Sequence, residues 1–280
     1  MQVVPLTGVL GAEVTGVDLA DDLSDAQVAE LRAAICAHQV VIVPGQRLDP
    51  DAQSRFTRRL GPPGPTNFVD PIPGHPDVIL VLKTEDEADA FNFGGVWHSD
   101  WSFMPEPPSF TVLHAIDVPP YGGDTIWSSM VAAAALLDED TRTALDGVTA
   151  VHTARDAYSP KMAAIHAGLK HMSVRTDESA NEEHRHPLLV RHPETGREVL
   201  FFNSAYVRDL DGTDDPAPLL RRLHTISTDV RITVRHHWRN GDVAIWDNRS
   251  TQHLALNDYA GFRRQLHRTT VGGTAPVASA

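Results

Sequence analysis

Apolar positions along the first part of the chain alternate between helical and extended periodicities, and strand signals dominate the second half. Ser24-Asp25-Ala26-Gln27 has the form of a capping box, and Val28, Leu31 and Ile35 follow it at helical spacing. That helix gives way to Val40, Val41, Ile42 and Val43, a short buried strand stopped by Pro44-Gly45. Asp49-Pro50 opens a second helix with Phe56 and Leu60 on one face. Residues 78–82 read as a strand, and the alanine-rich residues 129–146 read as a helix ending at Gly147. Further on, residues 187–192 and 197–202 flank Pro193-Glu194-Thr195-Gly196 as a hairpin. Val230, Ile232 and Val234 alternate with polar residues, and Asn240-Gly241 turns the chain into residues 243–246 as a second hairpin. Residues 263–271 form a last strand, and the small-residue tail from about 273 is expected to be disordered.

Many short strands with a few helices predict a mainly β protein with peripheral helices, a β-sandwich or jelly roll. No repeat or linker divides the chain, so residues 1–280 read as a single domain. Residues 155–185 are the least strand-like stretch of the interior and hold His166, Lys170, His171, Arg175, His184 and Arg185. A segment of that kind is either a solvated surface excursion or a lid over a pocket.

Charge narrows the function classes. A net charge of −13 argues against nucleic acid and anionic membrane as partners, since either calls for a basic face. A small anionic molecule stays compatible, because it needs only a local cluster of positive charge. The longest apolar run, residues 130–137, is too short to span a bilayer, and the N-terminus lacks the features of a signal peptide. A cytoplasmic location is expected. The one cysteine, Cys36, excludes an intramolecular disulfide and any multi-cysteine zinc site, and it reads as a small buried hydrophobe.

The chemistry is concentrated in His98-Ser99-Asp100. On an extended backbone, side chains two residues apart share a face, so this histidine and carboxylate can hold adjacent positions on one metal ion. Fifteen histidines make chance matches common, and a second one exists at His75-Pro76-Asp77. That copy lies among Pro71, Pro73 and Gly74 and reads as a turn. His253, just after a predicted buried strand, is the best third ligand, completing a two-histidine, one-carboxylate set of the kind that holds non-haem Fe(II) with open positions. On the last strand Arg264, Leu266, Arg268 and Thr270 share a face, and the two arginines lie about 13 Å apart at strand rise, a spacing suited to two different anions.

Taken together with Gly122-Gly123-Asp124-Thr125-Ile126-Trp127, His186-Pro187, His192-Pro193, Trp246-Asp247-Asn248-Arg249 and Thr251-Gln252-His253, these residues closely resemble the taurine dioxygenase family of Fe(II)/2-oxoglutarate-dependent oxygenases. The resemblance runs from about residue 9 to residue 272 and implies a cupin-like jelly roll, the double-stranded β-helix. It implies that His98, Asp100 and His253 bind Fe(II), and that Thr125 and Arg264 hold the distal carboxylate of 2-oxoglutarate. A planar guanidinium suits that task, since it pairs bidentately with a carboxylate and stays charged. O2 is the other cosubstrate, and the implied products are succinate, CO2 and a hydroxylated substrate. Relatives that halogenate replace the carboxylate ligand by a small residue, so Asp100 points to hydroxylation or to another outcome that follows hydrogen abstraction, such as desaturation.

Arg268 matches the family position for the substrate's anionic group, which makes the substrate a sulfonate, an alkyl sulfate or a carboxylic acid; the competing reading is an internal pair with a carboxylate such as Asp258. Asn67 stands where taurine enzymes carry a sulfonate-contacting histidine, and Gly94 where they carry an asparagine, which argues against taurine itself. Trp101 and Phe103, on the strand expected to leave the ligand pair, either wall the pocket with aromatic surface or belong to the ordinary core. The resemblance also implies a homodimer or homotetramer. Two other readings compete: a metal- and 2-oxoglutarate-binding protein without turnover, and a zinc hydrolase using the same three ligands. Intact ligands and the match at Thr125 and Arg264 disfavour both.

Overall fold

The computed structural model describes residues 1–87 and 93–279. Helix Asp25–His38 starts at the Ser24 capping box, with Ser24 Oγ accepting from Gln27 N and Gln27 Oε1 accepting from Ser24 N. Helix Pro50–Leu60 starts at Asp49, whose side chain accepts from Ala52 N, with proline at the first turn. Both helices cover one face of a seven-stranded sheet. Its order is Gln2–Pro5, Ala12–Thr15, Val40–Val43, Val243–Asp247, Phe110–Asp117, Arg264–Val271 and Ile79–Lys83. Neighbours are antiparallel except Ala12–Thr15 against Val40–Val43.

Strand alternation divides the buried side chains between two cores. Val41, Val43, Val112, Val243 and Ile245 face the helices and meet Leu31, Ile35, Phe56 and Leu60. Val40, Ile42, Leu113, Ala244, Trp246 and Leu266 face the other way, onto Trp127, Val234 and Trp238. The second group covers a three-stranded sheet of Thr233–His236, Thr125–Ser129 and Thr251–Ala255. Two sheets packed face to face give the mainly β jelly-roll sandwich with peripheral helices that the pattern predicts. The hairpin Leu189–Arg191 with Glu198–Leu200 forms as expected. A further sheet of Val207–Asp211, Thr149–Thr153 and Glu183–Pro187 borders the core on that side.

Several expectations are corrected. Asn240-Gly241 does not close a hairpin: the strand before it pairs with Thr125–Ser129, and the strand after it with Val40–Val43 and Phe110–Asp117. The turn carries the chain from one sheet to the other. Val230–Ile232 is a 3-10 turn held by the Asp229 side chain, so the alternation there is partly not a strand. Residues 129–146 form two short helices, Met130–Ala135 and Glu139–Ala144, because Asp138 caps the second. The tail is not disordered over its described part. Arg191 N donates to Val277 O at 2.9 Å and Ser279 N to Leu189 O at 2.9 Å, which adds the tail to the hairpin edge. No helix among the described residues is long and apolar enough to cross a membrane.

Candidate metal centre and flanking pockets

His98 and His253 meet as an antiparallel bridge, His98 N donating to His253 O at 3.0 Å and His253 N to His98 O at 2.7 Å. This reciprocal pair aligns the two imidazoles, whose ring centroids lie 4.1 Å apart. The bridge is one residue long and does not continue as the strand expected through Asp100. Ser99 Oγ donates to Asn248 O at 2.7 Å, and the backbone turns, with Trp101 at φ 46. The turn swings Asp100 back toward the imidazoles, placing Oδ1 3.7 Å from His98 Nε2. One potential ligand atom from each of His98, Asp100 and His253 lies within 4.8 Å of the others.

Chemistry supports the fit to a divalent metal. His98 Nδ1 lies 2.7 Å from Val96 O, and since a carbonyl only accepts, Nδ1 carries the proton and Nε2 keeps its lone pair for a metal. Burial pushes the His98 and His253 imidazoles below their usual pKa, keeping them neutral. For Asp100, burial works to raise the carboxyl, but the Arg268 guanidinium and the hydrogen bond from Thr111 outweigh it and hold it below the usual carboxylate range.

Two pockets flank the cluster. The inner one is lined by His98, Asp100, His253, Thr125 and Arg264, with Leu113 and Trp246 as apolar wall. Arg264 Nε donates to Gly123 O at 3.0 Å and its guanidinium lies over Trp238, 5.9 Å from the ring centroid. Its Nη2 is buried with no hydrogen-bond partner among the described residues. Burial pushes its pKa down, the mark of a cation short of an anion. Gly123 allows this approach at φ 67, since a Cβ there would sit 3.1 Å from Arg264 Cδ. Thr125 Oγ1 accepts from Trp238 Nε1 at 3.0 Å, so its own proton is available to a ligand.

The outer pocket, about 140 Å³, opens beside His98, Asp100 and Arg268. Arg268 stacks on Trp101 at 4.8 Å, and its Nη2 lies 3.0 Å from Asp100 Oδ1. Its buried Nε and Nη2 nevertheless make no aligned hydrogen bond among the described residues. Asp156, Ala157, Tyr158, Met162 and His166 form part of the wall, so the segment singled out as a surface excursion or lid borders this pocket.

Structure and sequence part company at two of the residues expected to touch substrate. Phe103 does not line the pocket; it packs behind the wall on Tyr206 and Phe68, at ring distances of 4.9 and 6.0 Å. Asn67 is also outside it, with Nδ2 on Met104 Sδ at 3.2 Å and its carbonyl bonded to Arg175. Trp101 is in the wall as expected. Tyr158 and Tyr206 were not foreseen; their only signal was aromatic character in segments without periodicity.

Two rival histidine clusters do not compete. His75 pairs with Asp51 at 3.0 Å while Asp77 takes Ser54 and Arg58, so the second H-x-D motif diverges. Cys36, His192 and Asp247 do converge. However, His192 Nδ1 accepts from Glu194 N and Thr195 N, so Nε2 donates its proton to Asp247 Oδ2 at 2.8 Å. Arg249 occupies both Asp247 oxygens, at 2.8 and 2.7 Å, and burial pushes the Cys36 thiol up to about 12. This is a structural network, with its polar atoms already satisfied.

Comparison with known proteins agrees with the geometry. Residues 2–270 match the model of the taurine catabolism dioxygenase TauD, TfdA family. The chain is 33% identical to an alpha-ketoglutarate-dependent sulfate ester dioxygenase of Pseudomonas putida, across 99% of this chain and 91% of that one. It is 32% identical to an alkylsulfatase of Acinetobacter baylyi, across 98% of this chain and 85% of the relative. The crystal structure of a taurine dioxygenase from Burkholderia xenovorans superposes with a TM-score of 0.82 at 33% identity, covering 99% of this chain and 92% of that one.

Proposed function

The chain belongs to the taurine catabolism dioxygenase TauD, TfdA family, and from that premise we propose that it is an Fe(II)- and 2-oxoglutarate-dependent dioxygenase acting on organic sulfate monoesters. His98, Asp100 and His253 hold the iron, and Thr125 and Arg264 hold the distal carboxylate of 2-oxoglutarate in the inner pocket. The observation that carries this reading is a three-ligand cluster flanked by two buried arginines, each with at least one guanidinium nitrogen that has no aligned acceptor among the described residues. A zinc hydrolase has no use for the inner arginine.

When bound, the iron with 2-oxoglutarate and O2 converts a substrate C–H to C–OH while 2-oxoglutarate becomes succinate and CO2. The chain's own groups place the reactants. Arg264 and the Thr125 hydroxyl fix one end of the keto acid, and Arg268 receives the substrate's anionic group on the outer side. Trp101, Tyr158 and Tyr206 exclude water around the reacting carbon. Residues 155–185 act as the lid over that pocket. Hydroxylation at the carbon bearing the ester oxygen gives a hemiacetal ester, which collapses to an aldehyde and hydrogensulfate.

The sulfate ester assignment rests on the two relatives above and on Arg268 beside an aromatic wall. It is tested by measuring succinate release with alkyl sulfates, alkyl sulfonates and aryloxyalkanoic acids. Alkyl sulfates should stimulate it most and yield equal amounts of sulfate and succinate, and Arg268→Ala should abolish the stimulation. Preference for another class, or stimulation unchanged in Arg268→Ala, contradicts the assignment.

A further inference from the structure

Asp100 is held by a hydrogen-bond relay in which every donor can be assigned. Trp246 Nε1, which only donates, gives to Asn248 Oδ1 at 2.9 Å, and Asp100 N gives to the same oxygen at 3.3 Å. These two bonds fix the orientation of the Asn248 amide, so that Nδ2 is the atom facing Thr111 Oγ1, 2.8 Å away. Having accepted from Asn248, the Thr111 hydroxyl places its own proton on Asp100 Oδ2 at 2.6 Å, because a carboxylate only accepts. Trp246, Asn248, Thr111 and Asp100 are all buried, so no water competes for these bonds. The register of the central strands sets the geometry: Thr111 lies directly opposite Trp246.

The two carboxylate oxygens are thereby made unequal. Oδ2 is tied back by Thr111, and Oδ1 is the oxygen that faces His98 Nε2 and Arg268 Nη2. We infer that Thr111 and Asn248 are positioning residues that keep Asp100 a one-oxygen metal ligand. The inference rests on the dioxygenase reading. A two-histidine, one-carboxylate site leaves three positions open only while the carboxylate uses one oxygen. The keto acid needs two of those positions and O2 the third. A carboxylate free to rotate would claim one of them with Oδ2, so the relay protects the vacancy on which cosubstrate binding depends.

Thr111→Val keeps the side chain's shape and removes the proton given to Oδ2, while Thr111→Ser keeps the hydroxyl. The assay is anaerobic titration of the protein with Fe(II) and then 2-oxoglutarate, following the visible charge-transfer absorption of the iron–keto-acid chelate. Loss of a ligand's hydrogen-bond partner commonly costs about 10- to 100-fold in metal affinity. Thr111→Val should weaken chelate formation by at least about tenfold, with Thr111→Ser within about threefold of wild type. Near-UV circular dichroism verifies the fold of each variant. If Thr111→Val does not fold, Thr111→Cys, which keeps the volume and a weak donor, should show an intermediate loss. Wild-type chelate formation in the folded Val or Cys variant overturns the inference. Absence of the absorption in wild-type protein would instead overturn the dioxygenase reading.

Discussion

Replacing Arg264 by methionine separates a binding role from a folding role. The side chain is buried, makes one bond, Nε to Gly123 O at 3.0 Å, and leaves Nη2 unpartnered among the described residues. The ligand-free protein therefore loses a charge-assisted bond of about 1.5–3 kcal/mol and strands one carbonyl. It also sheds a buried cation whose desolvation costs several kcal/mol. These effects oppose each other, and the variant's stability should lie within about 2 kcal/mol of wild type. Ligand binding has no such compensation. Two charge-assisted bonds to a carboxylate at about 1.5–3 kcal/mol each correspond to a loss in 2-oxoglutarate affinity on the order of a hundred- to ten-thousandfold. Lysine, a point charge without the planar fork, should fall in between. Thermal melts with and without 2-oxoglutarate, with Fe(II) present and O2 absent, read both quantities. Wild type should gain melting temperature from the keto acid and Arg264→Met should not. An unchanged ligand-induced shift in Arg264→Met would exclude a carboxylate-binding role for Arg264, and a ligand-free variant too unstable to fold would make the side chain a structural element instead.

Three further outcomes follow from the same geometry. Trp238→Phe removes the N–H that Thr125 Oγ1 accepts at 3.0 Å, and one neutral hydrogen bond of about 1 kcal/mol predicts roughly a fivefold weaker 2-oxoglutarate affinity in the absorption titration. Gly94 has φ 80, and a Cβ there would sit 3.4 Å from His98 Cε1, so Gly94→Ala should lose about 1–2 kcal/mol, a few degrees in calorimetry, without losing metal binding. Burial raises the Cys36 thiol from 9.0 to about 12, and the folded state therefore favours its protonated form. The native protein should resist thiol reagents at pH 8 and react with one equivalent after denaturation. This stabilising contribution is fully present below pH 9 and is lost as the pH rises toward 12.

Local rules carried much of the fold into the sequence. The Ser24 and Asp49 caps, the strand at Val40–Val43 and the hairpin around Gly196 each depend on a few adjacent residues, and each forms as read. Strand Phe110–Asp117 was harder to see because six of its eight residues are buried, and a strand covered on both faces shows no alternation. Asn240-Gly241 carries a strong turn signal, but the turn type does not reveal that its flanking strands belong to different sheets. At the site, His98, Asp100 and His253 were legible as ligand types at telling positions. That they form one site was implied by the family resemblance, whereas the geometry that brings them together was not legible, because it arises from a one-residue bridge and a turn fixed by Asn248, far away in sequence. Asn67 was placed by matching position to the family and Phe103 by a strand expected to leave the ligand pair; the chain turns at Trp101 instead, and Phe103 packs in a cluster with Phe68 and Tyr206. Tyr158 and Tyr206 belong to the pocket by tertiary packing alone.

His98, Asp100 and His253 together are proposed to create a site for iron and the keto acid. Anaerobic addition of Fe(II) and 2-oxoglutarate to the metal-free protein measures this most directly. A visible charge-transfer absorption should saturate at one iron and one 2-oxoglutarate per chain and be absent in folded Asp100→Ala and His253→Ala. No absorption in wild type, or an undiminished one in either variant, would contradict that proposal.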